Sequence, residues 1–432
     1  VTLATAIFAA AAMLLLTAEA PAAFVWDGGG ADGSWADDNN WEGGTAPAAT
    51  TTERVDINET QTISTSVLDQ DRTIGGVFWQ GFQETHTFDL GGHTLTVAGQ
   101  WETEDSSGTN GGQGTITNGT LKFGNDATAG SIRLDAMNGE RGNIQFADGG
   151  GGKIETYDLG SVYVGSWGAY NMELDLQNAT VVGGTFETGS LTLDHGGQVI
   201  FPDSTKMSKV YIRGTVDMEG SNSRQDVRAD IPAGVDLQIG VDAATPGQIR
   251  IGPKVGENHG YGRMNALGAG GTAELYLDEF LVGRSDDPAS MDLTAMTSGT
   301  VDASTADVEI GTGGTGDGMV GLPAGTATFK SLTIGQTSGG AGLLRLAGTD
   351  LTVNGALVIN STGSVDLVSG SGFGHITVLA DGSLTIDGSV LDYGTYTNVD
   401  FPDHITGDGA ITFVPEPATV ALLGLGGLMM VG

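Results

Sequence analysis

The stretch that decides the fold runs from Val308 to Leu357 and reads VEIGTGGTGDGMVGLPAGTATFKSLTIGQTSGGAGLLRLAGTDLTVNGAL. It contains the same arrangement twice: a strand ending in Ile-Gly, a turn rich in Gly, Ser, Thr or Asp, a short second strand, and a third strand beginning Gly-Thr. Short apolar runs with period-two alternation, bounded by glycine, are typical of β-strands. The stretch therefore predicts three short strands per repeat and no helix.

The repeat continues on both sides of this stretch. Its marker glycines, Gly252, Gly283, Gly311 and Gly335, are 31, 28 and 24 residues apart. Segments 88–99 and 379–390 have the same strand–turn–strand pattern. A unit of this length holds the three strands of one parallel β-helix rung, which adds about 4.8 Å along the axis. The sequence predicts an all-β, elongated, right-handed parallel β-helix over residues 51–413; an array of antiparallel β-sandwiches is the alternative.

These segments resemble rungs of the autotransporter and pectate-lyase-like β-helices. Residues 24–50, with Trp26, Trp35 and Trp41 among Gly, Asp and Asn, are also similar to the opening of autotransporter-like passenger proteins. That resemblance implies an N-terminal cap whose indoles cover the open end of the β domain. The alternative is a platform on which the three indoles stack against sugars.

Composition excludes several classes of protein. The 432 residues carry 17 basic and 53 acidic side chains, a formal charge of −36, so we expect no nucleic-acid partner. No cysteine is present, which excludes disulfides, thiolate metal sites and a cysteine nucleophile. The 73 glycines follow no collagen period, and 39% hydrophobic content argues against a disordered chain.

The first residues predict export. An uncharged apolar run, Leu3–Leu16, is followed by small residues, the pattern of a secretory signal peptide. We expect residues 1–23 to be removed by cleavage after Ala23. The alternative is an N-terminal membrane anchor.

The last residues predict sorting. Pro415, Glu416 and Pro417 form an extended linker that no helix interior accepts, and the fifteen residues 418–432 carry no charge. Residues 414–432 resemble the PEP-CTERM sorting signal of bacteria that produce exopolysaccharide, although the terminal Arg cluster is absent. The resemblance implies processing by an exosortase and transient membrane contact through an apolar transmembrane helix. An ordinary C-terminal membrane anchor is the alternative.

No catalytic motif and no cofactor site are predicted. His86 and His93 flank a predicted turn, where we expect a solvated pair rather than a metal site. Calcium remains a candidate ligand, because Asp32, Asp37 and Asp38 provide hard oxygen ligands and residues 313–321 approach a calcium-binding nonapeptide. The acidic residue of this segment, Asp317, lies one position before the one that the nonapeptide pattern requires.

One cluster keeps an enzyme hypothesis open. Arg224, Asp226, Arg228 and Asp230 alternate on one side of a predicted strand, as a polysaccharide lyase requires on one face of a β-helix. The alternative is an exposed face held by salt bridges. We expect a secreted bacterial surface or matrix protein, structural or adhesive, in contact with extracellular polysaccharide. A carbohydrate-active lyase or hydrolase is the alternative function.

Overall fold

A computed structural model describes most of the chain. The described residues are 23–57, 64–80, 86–104, 113–125, 127–136, 143–166, 172–219, 226–252, 261–283, 288–368, 374–379 and 382–414. They form forty β-strands and two short 3-10 helices, at Asp38–Asn40 and Val182–Gly184. The predicted all-β class is confirmed.

The strands are short and follow one another closely along the chain. The first are β1 (Phe24–Trp26), β2 (Arg54–Ile57), β3 (Thr65–Val67), β4 (Arg72–Ile74), β5 (Gly76–Gln80), β6 (His86–Asp89), β7 (Thr94–Val97), β8 (Gln100–Glu104), β9 (Gln113–Thr117), β10 (Thr120–Phe123), β11 (Gly130–Ala136), β12 (Asn143–Phe146), β13 (Lys153–Glu155) and β14 (Leu159–Ser166). They are followed by β15 (Met172–Asp175), β16 (Thr180–Val181), β17 (Thr185–Thr188), β18 (Ser190–Asp194), β19 (Gly197–Ile200), β20 (Lys209–Ile212), β21 (Thr215–Glu219), β22 (Val227–Arg228), β23 (Asp236–Ile239), β24 (Gly247–Ile251), β25 (Gly262–Arg263), β26 (Thr272–Val282) and β27 (Ala289–Asp292). The last are β28 (Ser298–Ile310), β29 (Gly318–Leu322), β30 (Gly325–Ile334), β31 (Gly342–Leu346), β32 (Thr349–Val353), β33 (Leu357–Ile359), β34 (Gly363–Leu367), β35 (His375–Val378), β36 (Leu384–Ile386), β37 (Ser389–Leu391), β38 (Gly394–Tyr396), β39 (Ile405–Gly407) and β40 (Ala410–Phe413).

The strands stack as a three-faced parallel solenoid. The first face begins with β1, β2 and β5 and ends with β33 and β36. The second face is a 13-stranded sheet from β3 to β39. The third face starts as a five-stranded sheet, β4 to β16, and continues from β17 to β40. All pairings between rungs are parallel, so the antiparallel sandwich alternative is wrong for the described residues.

The number of stacked strands sets the length of the rod. Thirteen strands on the second face are separated by twelve steps. At about 4.8 Å per step the stack is roughly 58 Å long. The strands β26, β28 and β30 each cover two faces, and the first two change register where they cross from one face to the other, as between Tyr276 and Phe280.

Apolar side chains fill the interior in columns. Val308, Leu332, Leu357 and Leu384 occupy the same register in four successive rungs, and each is at most 1% exposed. The core is one continuous cluster from Trp26 to Phe413. Because side chains alternate along a strand, each inward column leaves an outward column of polar residues beside it. The period-two pattern of the sequence is therefore the pattern of burial.

Glycines form the corner between the first and second faces. Gly311 has a φ of +63°, and its amide donates to the carbonyl of Val282 in the preceding rung. A Cβ at Gly311 would overlap the Ala341 carbonyl oxygen and lie 2.7 Å from the Cα of Gly342. Only glycine combines this left-handed conformation with this close approach. The marker glycines of the repeat thus mark the corner.

At each end of the solenoid, antiparallel pairing covers part of the exposed strand edges. Residues 24–51 form the first rung, in which Trp26 also bridges antiparallel to Trp41. At the other end, β37 pairs antiparallel with β36, and β38 with β40. Free edges of a sheet invite pairing with other chains, and these segments cover the edges of β1, β36 and β40.

His86 departs from the sequence prediction. It lies on an inward position of β6, is 1% exposed, and its ring centre is 4.6 Å from that of Phe88. His93 is partly exposed, with Nδ1 3.5 Å from Asp71. The predicted solvated pair is wrong, because the alternation of β6 turns His86 into the core while His93 remains in the turn.

Candidate functional site

The sorting motif lies outside the described residues. Pro415, Glu416 and Pro417 follow Val414, the last residue that the structure describes. Ala23, the predicted cleavage residue, immediately precedes β1, and residues 1–22 are also outside the described part. None of the described segments forms a helix with the length and hydrophobicity that a membrane span requires.

The three N-terminal tryptophans are inside the first rung. Trp26 and Trp35 are fully buried and Trp41 is 2% exposed. The Trp41 ring meets the other two edge to face, with centres 5.1 and 5.3 Å apart, and its Nε1 donates to the Trp35 carbonyl at 3.1 Å. Because all three indoles are buried, the interpretation of these residues as a sugar platform is wrong.

The acidic side chains considered for calcium are engaged with the backbone. Asp32 accepts from the Ser34 amide, Asp38 from the Ala46 amide, and Asp317 from the Ala341 amide. Asp37 accepts from the Asn39 amide, and this bond is the main cause of its lowered pKa. Within the described residues no three acidic or histidine side chains converge as a metal site.

The Arg/Asp cluster is partly assembled on the second face. Asp230 is 5% exposed and binds Arg263 with contacts of 2.6 and 3.1 Å, while Arg228 lies 3.4 Å away. Asp226 is exposed, and Arg224 is outside the described residues. A small cleft of about 300 Å³ borders Arg263. Asp230 thus forms a salt bridge with Arg263 in the next rung and with Arg228 in its own rung, as the salt-bridged alternative predicts.

A larger groove, of about 490 Å³, opens on the third face. It forms where the five-stranded sheet ends: β16 pairs with β13, but the next ladder begins at β17, which pairs with β20. Between them the short 3-10 helix turns outward at Gly183, whose φ is +73°. This step from one ladder to the next leaves an open channel across three rungs.

The groove is lined by aromatic, aliphatic and charged side chains. Tyr157 is 71% exposed, and Val182, which also lines the groove, is 39% exposed. Lys209 lies with Nζ 5.4 Å from the centre of the Tyr211 ring. The space that a Cβ at Gly183 would enter is open, so a ligand can approach the backbone there. The lining residues are Glu155, Tyr157, Val182, Gly183, Thr185, Glu187, Lys209 and Tyr211.

Charge in the groove is close to balanced, unlike the chain as a whole. Glu155 pairs with Lys122 at 2.8 Å, and Glu187 lies 3.5 Å from Arg213. Lys209 adds a further positive charge. Burial raises the pKa of Glu187, opposed by the Arg213 guanidinium, and the same cause raises the pKa of Tyr211. The groove therefore offers hydrogen-bonding groups and ring faces without a strong field of either sign.

Sequence reasoning missed this groove. Its residues are spread from Glu155 to Tyr211 and match no motif. The one signal in the sequence was Tyr157, an aromatic residue in the turn between β13 and β14, where burial in a core is not expected. The contacts of the groove depend on which strand pairs with β17, and spacing alone does not give that.

Comparison with known proteins returned no relative. No protein-family profile matches the chain, and no curated protein or solved structure matches it significantly. The residues themselves therefore define the class: an acidic, three-faced parallel β-solenoid with an aromatic groove on its side.

Proposed function

We propose that the protein is a secreted structural or adhesive component of a bacterial surface or matrix, and that its third-face groove contacts extracellular polysaccharide. The observation that carries this proposal is the exposed Tyr157 beside the carboxylates and Lys209 of a groove that is open at the side. An exposed aromatic ring suits the apolar face of a pyranose, and the flanking polar groups suit its hydroxyls.

The direction of the groove supports a polymeric ligand. Its lining residues belong to the rungs of β13, β17 and β20, so it extends along the rod for about two steps, or roughly 10 Å. The near balance of charge favours neutral sugars over strongly anionic ones. Weak contacts of this kind become strong when many rods meet one polymer.

Location is the second part of the proposal. The signal peptide over residues 1–23 would export the chain, and an exosortase would cut near Pro415–Pro417. Support comes from the sequence patterns at the two ends. The test is the intact mass of the native protein from the envelope and from the medium. A mature chain from Phe24 to about Pro417 is expected; a chain retaining 418–432 and found only in the envelope means a permanent anchor.

Binding is tested with the purified chain and the polysaccharide of its own producing cells. Tyr157→Ala is expected to weaken binding about tenfold, equivalent to about 1.4 kcal/mol. Tyr393→Ala is the matched control, because Tyr393 is also exposed but lies at the C-terminal end of the rod. If Tyr157→Ala and the unmodified chain bind the polysaccharide with equal affinity, the groove is not the binding site.

A second function, polysaccharide cleavage, is favoured by one observation. Glu187 is the carboxyl in the groove whose pKa is raised by burial, which is the property of a general acid. Incubation with neutral and acidic polysaccharides, followed by measurement of new reducing or unsaturated ends, tests it. Products that disappear in Glu187→Gln would establish an enzyme; no product from any substrate leaves the binding function.

A further inference from the structure

The C-terminal end of the rod carries a concentration of exposed apolar side chains. Of the eight large hydrophobic residues that are exposed in the described structure, four lie between positions 379 and 399. Val399 is 85% exposed, Val390 77% and Tyr393 50%; the fourth is Leu379. Scattered single residues of this kind need no explanation, but four near one end of a rod do.

The apolar end also marks where the chain leaves the solenoid. β38 pairs antiparallel with the last strand, β40, and the Tyr393 ring lies 4.5 Å from that of Phe413. Val414 is the next residue, and the uncharged stretch 418–432 begins four positions later. Four extended residues span about 14 Å at most. Residue 418, where the apolar stretch starts, therefore lies within about 14 Å of Val414, just after the end of β40.

Charge limits the kind of surface this end can meet. No lysine or arginine follows Arg345 in the chain. The end carries exposed aspartates: Asp387, Asp392, Asp400, Asp403 and Asp408. Anionic lipid would repel it, and a second copy of the same end would do so too. A zwitterionic lipid surface carries no such penalty.

We propose that the rod stands on this end, with Val390, Tyr393 and Val399 in contact with a zwitterionic lipid surface. The inference rests on the transient membrane contact that the PEP-CTERM resemblance implies for residues 418–432 before they are cleaved off, and it extends that contact to the folded domain. Tyrosine is enriched at membrane interfaces, where its ring and hydroxyl are both accommodated. An upright rod holds the groove away from the lipid: seven steps separate β20 from β40, or about 34 Å.

The absence of cysteine allows a direct test. Single variants Val399→Cys, Val182→Cys and Ala421→Cys of the chain from Phe24 to Gly432 are labelled with an environment-sensitive fluorophore and added to phosphatidylcholine vesicles. Val182 is the control, because it is exposed on the groove rim in the middle of the rod. A blue shift and quenching by headgroup-depth quenchers are expected at 399 and 421 and not at 182.

Each outcome decides a different point. A label that stays in water at 399 while 421 is quenched overturns the upright contact and leaves the anchor intact. No quenching at either position overturns both the anchor and the contact. Quenching at 182 as well as 399 means a rod lying flat, which also overturns the upright contact. We further expect Val390→Ser with Val399→Ser to reduce partitioning about tenfold, and added phosphatidylglycerol to reduce it in the unmodified chain.

Discussion

Lowering the pH is expected to destabilise the N-terminal rungs through His86. The ring is 1% exposed between Phe88 and Trp79, and its Nε2 lies 3.1 Å from the Ser66 hydroxyl. Burial lowers the pKa of His86 from 6.5 to about 3. The folded form therefore keeps His86 neutral at pH values where the unfolded chain takes up a proton.

The sign and size of this pH effect on the free energy of unfolding follow from proton linkage. Below pH 6.5 the unfolded state binds more protons than the folded state, so stability falls as pH falls, until the folded pKa near 3 is reached. Between pH 7.5 and pH 5.0 the loss from this one group is about 2 kcal/mol, with a limiting slope of about 1.4 kcal/mol per pH unit.

The assay is urea unfolding followed by tryptophan fluorescence at both pH values. Trp79 and Trp101 are buried in the rungs beside His86, so the signal reports on this part of the solenoid. His86→Gln keeps a polar group near Ser66 but cannot titrate, and should lose about 2 kcal/mol less than the unmodified chain between the two pH values. His93→Gln is the control and should retain the full dependence. Equal pH dependence in His86→Gln and the unmodified chain would refute the reasoning.

Three further substitutions test the packing. Gly311→Ala should lower the thermal midpoint of unfolding more than Gly149→Ala does. Both glycines have a left-handed φ near +63°, where alanine carries about 1–2 kcal/mol of strain, but only a Cβ at Gly311 also overlaps the next rung. Asp230→Ala should cost about 3 kcal/mol in urea unfolding because it strips Arg263 of its buried partner, and a cost below about 1 kcal/mol would contradict this. Trp41→Ala should lower the free energy of unfolding by about 3–5 kcal/mol and increase amide hydrogen exchange in residues 24–57. Unchanged exchange there would show that the indole cluster does not stabilise the first rung.

The repeat could be predicted from the sequence because its physical cause is local. Gly311 and Gly335 mark corners where φ is positive, and the alternation in Val308–Ile310 and Leu332–Ile334 is the alternation of burial. Each rung repeats the same local constraints, so the spacing indicated three strands per rung and favoured parallel stacking over the antiparallel alternative.

Two features of the structure, the groove and the burial of His86, could not be predicted from the sequence. The groove exists because β17 pairs with β20 while β16 pairs with β13, and the sequence around Gly183 resembles an ordinary turn between strands. His86 likewise required the phase of β6, which a polar residue at the start of a strand obscures. The strand pairing that forms the groove joins residues more than twenty positions apart, as Thr185 and Lys209 are, whereas for His86 the missing information was the phase of its own strand.

The proposal that this groove is where the rod contacts polysaccharide is tested most directly by hydrogen–deuterium exchange with and without the native polysaccharide. We predict slower exchange in residues 153–188 and 206–213, with no change in 389–399 in the absence of lipid. If saturating polysaccharide leaves exchange unchanged throughout the chain, or slows it only on another face of the solenoid, the proposal that the groove binds polysaccharide is contradicted.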